Sequence, residues 1–289
     1  LVHIKSLSNV KALDYEVQAE ERFLIVKLPF LLKKGEEIVI RTVSTCKPTA
    51  NILEGIYYDY TPDGAPQTMI TQCQQYGFQR IVPCVDRMAS KTFYTTTVIS
   101  DERYTNVVTN GDLAPGFFDD KINSKFQSIE AAMPNFKSDY DGPPRHVIKY
   151  YNHKVNMAPY LFFLGCGTYD VYTKEVEYPD GDTFRLEILC LPGIVRPEDA
   201  ETSLVALRDS IIWLLVSTGP EATEHVEARK KVYELIEKRD RLKENGDAST
   251  ADELAKIRSD LKALMSQWGN TGYKYTGSVY REIAMENSN

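Results

Sequence analysis

Side chains able to grip or react crowd into one stretch, Thr71 to Tyr94, which reads TQCQQYGFQRIVPCVDRMASKTFY. Gln72, Gln74 and Gln75, with Cys73 among them, precede an aromatic-glycine turn, Tyr76-Gly77-Phe78. Arg80 then leads into Ile-Val-Pro83-Cys84-Val-Asp86. Glutamine amides hydrogen-bond and orient a ligand but transfer no proton, so the chemistry on offer is positioning and not bond-breaking. Pro83 fixes its own φ, lacks an N–H and biases Val82 toward extended backbone. Cysteine is a residue type usually found buried, and a covered Asp86 carboxylate requires partners. On the residues alone, the plainer alternative is an irregular crossover in a β-rich domain.

Taken together, Thr71-Gln-Cys-Gln74, the aromatic stretch, Arg80 to Asp86 and Lys91-Thr-Phe-Tyr94 resemble the N-terminal saddle domain of the zinc aminopeptidases. This is the gluzincin family of alanyl aminopeptidase and leukotriene hydrolase. The resemblance continues through Leu28-Pro29, Lys34-Gly35-Glu36 and Gly55-Ile56-Tyr57, and through Met157-Ala-Pro-Tyr160-Leu to Gly167. It implies that Gln74 stands where the family places a Glu or Gln that holds the substrate's free α-amino group, with Gln72 matching the Gln before it. It also implies a parent protein whose zinc-bound water attacks the first peptide bond. Zinc and peptide substrate are therefore expected of the parent. The chain departs from the pattern at Asp86-Arg87-Met88, where the family has Asp-Glu-Pro, a change read as altering a structural corner. Family members carry further strands ahead of residues like Leu1, so the chain reads as shortened at its start.

No H-E-x-x-H occurs, and His3, His146, His153 and His225 offer no metal-ligand spacing. His146 and His153, seven apart on an expected strand, fall on opposite faces, whereas a zinc site needs three or four convergent ligands. Neither a metal nor a catalytic residue is expected in this chain, which should be inactive alone. Ala284-Met285-Glu286-Asn287 literally matches the end of the family's G-x-M-E-N motif, whose glutamate binds the substrate amino terminus. Ile283 occupies the glycine position, where close backbone approach favours a residue without a side chain. Val279 to Asn289 instead aligns with the strand leading into that motif, so Glu286 is expected to be a decoy.

The 289 residues suffice for two domains, and 43% hydrophobic with 26% charged residues is ordinary for soluble globular protein. A net charge of −7 argues against nucleic acid or an anionic membrane surface as partner. Five scattered cysteines without C-x-x-C spacing fit reduced thiols in a cytoplasm. No apolar run approaches the ~20 residues of a membrane span.

These side chains must be carried by a mainly β architecture. Short runs of β-formers recur at Arg22–Leu28, Glu37–Val43, Thr92–Ile99, His146–Tyr151, Tyr160–Cys166, Val171–Glu177 and Thr183–Leu191. Asp180-Gly181 reads as a hairpin turn. The pattern predicts a β-sandwich or saddle-like domain over 1–195. From Arg196 the character becomes helical: an N-terminal Pro197 and acidic residues precede Leu204, Leu207, Ile211 and Leu215 on one face. Residues 196–289 are accordingly read as the start of a catalytic domain, completed in the parent by its remainder. Within it, Leu254, Ile257, Leu261, Leu264 and Trp268 keep an a/d rhythm, predicting a coiled-coil-like helical hairpin inserted over 221–268 as a satellite with its own seam.

The functional expectation is the N-terminal fragment of a zinc-dependent aminopeptidase that removes N-terminal amino acids from peptides. A non-catalytic aminopeptidase-like scaffold or protein-interaction module is the alternative. An unrelated β-sandwich binding module with a helical appendage is a third reading.

Overall fold

The computed structural model describes residues 13–40, 42–114, 127–128, 145–217, 226–245, 250–266 and 279–283. The described residues fall into two compact units, one running to Thr168 and one starting at Tyr169. The first is built of strands and the second is a small sheet with three helices, so the mainly β fold followed by an α-rich segment is observed.

In the first unit, β1 (Tyr15–Gln18) and β2 (Phe23–Val26) form a hairpin. β3 (Gly55–Tyr58) and β4 (Met69–Gln72) belong to an antiparallel sheet. β5 (Thr92–Asp101), rich in threonine, aromatic and β-branched residues, pairs along β9 (Arg145–Met157). Between them in sequence lie β6 (Asn106–Thr109), β7 (Asp112–Leu113) and β8 (Gln127–Ser128), the last two also bonded to β9. β10 (Leu164–Gly167) completes the other sheet, whose order is β3-β4-β10-β6. Val107, Ala114, Ile148, Tyr150 and Cys166 form a buried cluster here. The Tyr150 hydroxyl, buried with its ring, donates to Val107 O at 2.8 Å, which satisfies that polar atom inside the core.

Two expected strands are corrected. Residues 37–40 and 42–43 form no strand, and the neighbours Val39 and Ile40 are both exposed, so the apparent alternation buries no face. The run beginning at Tyr160 opens as a short 3-10 turn, Pro159–Leu161, because Pro159 favours a helical start, and the strand begins only at Leu164.

In the second unit, β11 (Asp170–Glu177) and β12 (Thr183–Cys190) make the hairpin expected at Asp180-Gly181. Gly181 holds φ at +93°, and its N–H closes the turn on Tyr178 O at 3.0 Å. Helices α1 (Pro197–Ser217), α2 (Val226–Asn245) and α3 (Ala251–Ser266) follow. The chain then returns as β13 (Val279–Ile283), parallel to β12. The periodic residues behave as read: Leu204, Ile211 and Leu215 are buried and Leu207 is partly so, while the nearby Trp213 is exposed and lies off that face. Strands β11 and β12, grouped by sequence with the domain ending at 195, pack with the helices, because Phe184, Leu186, Ile188 and Cys190 alternate into the core under α1.

The helical hairpin exists, α2 lying against α3, but it is not a satellite. Val232 and Ile236 of α2 and Ile257 and Leu261 of α3 sit in the same buried cluster as β12 and α1. Arg239 of α2 is 3% exposed and reaches the end of β11, donating to Glu177 O at 2.9 Å and Tyr178 O at 3.3 Å. Apolar rhythm reports that a helix face is covered but not by what, and here the sheet covers much of it. Trp268, Gly219-Pro220 and Ala284 to Asn289, including Glu286, lie outside the described residues.

Candidate functional site

β4 delivers the glutamines. Along Thr71, Gln72, Cys73 and Gln74 the burial alternates buried, exposed, buried, exposed, so both Gln72 and Gln74 face solvent. Gln72 is the last residue of β4 and pairs with Gly55. Thr71 is held from the other side by its Oγ1, which accepts the N–H of Leu164 at 2.8 Å. Past Gln72 the chain reverses: Gly77 N donates to Cys73 O at 2.9 Å, closing a turn that carries Gln74, Gln75 and Tyr76, all exposed. The Gln74–Gln75 peptide bond is cis.

Gly77 is fixed by space. A Cβ there would stand 2.4 Å from Gln72 O and 2.9 Å from both Cys73 Cα and Gly55 N. Gly55 itself holds φ at +78° where β3 meets the following 3-10 turn, Phe78–Arg80. Phe78 anchors that turn in an aromatic cluster, its ring centroid 4.8 Å from Phe162 and 6.0 Å from Tyr94.

Polar contacts hold the same turn from beneath. Gln79 Nε2 donates to Tyr76 O at 2.9 Å, and Gln79 N donates to Asp86 Oδ2 at 3.0 Å. Arg80 pairs with Glu54 at 2.7 Å, in a partly exposed bridge worth at most ~1 kcal/mol. Burial, opposed by its hydrogen bond with Thr71 and aided by the charges of Asp86 and Cys84, pushes the fully covered Cys73 thiol up to about 12. A thiol so shifted stays protonated at neutral pH and is a packing residue, not a nucleophile.

The sequence singled out Gln72 and Gln74, and both reach the surface at one end of β4. It noted that Asp86 would need partners but did not find Gln79, and it missed Glu54 opposite Arg80. The i to i+7 spacing of Gln79 and Asp86 is no regular helix or strand interval, so only the turn geometry reveals that pair. Among the described residues no group of three or more His, Cys, Asp or Glu could hold a metal ion. Gln72 and Gln74 present amide donors and acceptors to solvent here. No helix among the described residues is long and apolar enough to cross a membrane.

Residues 3–129 match the family model of the Peptidase M1 N-terminal domain. The fold is similar to the crystal structure of Legionella pneumophila aminopeptidase A in complex with aspartic acid, with a TM-score of 0.55 at 18% identity. That likeness covers 75% of this chain and 22% of the other, so the chain spans under a quarter of its neighbour's length. No curated protein matches. Over residues 3–129, then, the chain is similar to the Peptidase M1 N-terminal domain, the resemblance to which its motifs pointed.

Proposed function

We propose that this chain is the N-terminal portion of a zinc-dependent aminopeptidase, and that its part in the reaction is to hold the substrate's free α-amino group on Gln74, with Gln72 beside it. One observation supports this most: two exposed glutamines at the end of a buried strand, on a turn locked by Gly77, Phe78 and Gln79. An amide oxygen held in place is a good acceptor for an ammonium group, and such an acceptor orients a peptide end without taking part in bond cleavage. The described residues do not fit zinc, so the metal belongs to the parent's remaining catalytic domain, which would supply the activated water. On this reading the unit ending at Thr168 serves as the saddle domain and the unit from Tyr169, which takes in β11 and β12 as well as residues 196–289, as the start of the catalytic domain. The five cysteines, all unpaired, are in keeping with a cytoplasmic protein.

A parent that kept the saddle only as an interaction scaffold is the competing reading. Sequencing the transcript past Asn289 separates the two. An H-E-x-x-H motif there supports the peptidase, and a continuing catalytic domain without one sinks it.

A further inference from the structure

We propose that Asp86 and Gln79 form a positioning pair that fixes the turn 73–77 and so aims the Gln74 amide; the proposal rests on the reading of Gln74 given above. Gln79 is engaged at both ends. Its side-chain Nε2 holds the Tyr76 carbonyl within the turn, and its backbone N–H is held by the Asp86 carboxylate seven residues on. The glutamine is the link and the aspartate the anchor. Asp86 is 9% exposed, and while Oδ2 accepts from Gln79, Oδ1 is buried with no hydrogen-bond partner among the described residues. A half-satisfied buried carboxylate is a poor device for stability, since an apolar side chain would cover the same space without the desolvation penalty. What the carboxylate adds is a fixed, charge-assisted acceptor for one particular N–H, which sets where the turn stands. Cys73, buried directly before Gln74, and Phe78, packed against Tyr94 and Phe162, leave the turn pinned at both ends. Asp86 and Gln79 then fix the middle, and neither touches the proposed substrate.

The test uses the 289-residue chain and reads two quantities by NMR: amide hydrogen exchange across residues 73–80, and binding of L-alanine amide against its N-acetylated analogue. Asp86→Ala should speed exchange at residue 79 by about tenfold, the worth of one hydrogen bond to a charged group, and Gln79→Ala, which keeps that N–H but loses the neutral bond to the Tyr76 carbonyl, should speed exchange at Gly77 by about fivefold. Both should weaken alanine amide binding by a similar factor. Asp86→Asn, which keeps an oxygen acceptor, should restore most of each, a rescue that a role in stability alone does not predict. Unchanged exchange in the folded variants overturns the proposal, as does faster exchange with undiminished binding. If Asp86→Ala does not fold, Gln79→Ala, altering a half-buried side chain, decides the matter. If the wild-type chain fails to tell the free amine from the acetylated one, the reading of Gln74 falls, and exchange still judges the pair.

Discussion

A methyl group at position 77 has nowhere to go. The backbone of Gln72, Cys73 and Gly55 closes on that point to within 3 Å, and backbone yields less readily than a side-chain tip. Gly77→Ala should destabilise the first unit by about 1–3 kcal/mol, the usual cost of overpacking a close contact. Chemical denaturation followed by tyrosine fluorescence measures it. A loss below about 0.5 kcal/mol would mean that the turn between β4 and the 3-10 segment can relax, and Gln74 would then not be held as described. The aromatic-glycine turn was legible in the sequence because Gly77 stands between Tyr76 and Phe78. That its neighbour would be the strand residue Gly55, far back in the chain, was not.

Glu177, the last residue of β11, ties the sheet to both arms of the helical hairpin. Its carboxylate accepts two hydrogen bonds from Arg258 of α3, at 2.8 and 3.0 Å, and one from Lys243 of α2, while Arg239 stands 3.7 Å away. Burial alone would raise this carboxyl, but the bonds from Arg258 and Lys243, with the charges of Lys243 and Arg239, outweigh it and bring it from 4.5 to about 2. A depressed carboxyl contributes stability that is complete above its unfolded value and is lost as pH falls toward the folded one. The second unit should therefore lose stability between pH 4.5 and about 2 as Glu177 protonates. Glu177→Gln should remove that part of the acid dependence. It should also cost about 1–2 kcal/mol at pH 7, because Arg258 and Lys243 lose the charged acceptor between them, while Arg239 keeps its closer pair with Asp240 at 2.9 Å. Urea titrations of both forms across that pH range supply the check, and parallel curves would contradict it. Deleting the hairpin asks more of the unit. With 221–268 replaced by a Gly/Ser linker, the apolar faces of β12 and α1 lose Val232, Ile236, Ile257 and Leu261. Unfolding of the second unit should then lose cooperativity in calorimetry. Retained cooperativity would restore the satellite hairpin that the a/d rhythm suggested.

The whole chain was legible wherever one local pattern decides the outcome. Strand β5, the Asp180-Gly181 hairpin, α1 and both arms of the helical hairpin stand where period and turn chemistry put them. Residues 37–43 misled because alternation was read without a partner strand, and the hairpin misled because its seam proved to be part of a larger core. The same division holds at the site. The resemblance pointed to Gln72 and Gln74, but the contacts within their turn, Gln79 to Asp86 and Arg80 to Glu54, are settled by chain reversal and not by spacing. Capture of a free α-amino group by Gln74 is best examined in the longer parent protein, by steady-state kinetics of Gln74→Ala on an aminoacyl anilide. Loss of a hydrogen bond to a charged group predicts a fall in kcat/KM worth about 1–3 kcal/mol, roughly five- to 150-fold, with the fold unchanged by circular dichroism. A variant whose kcat/KM equals that of the wild type would show that Gln74 does not hold the amino group.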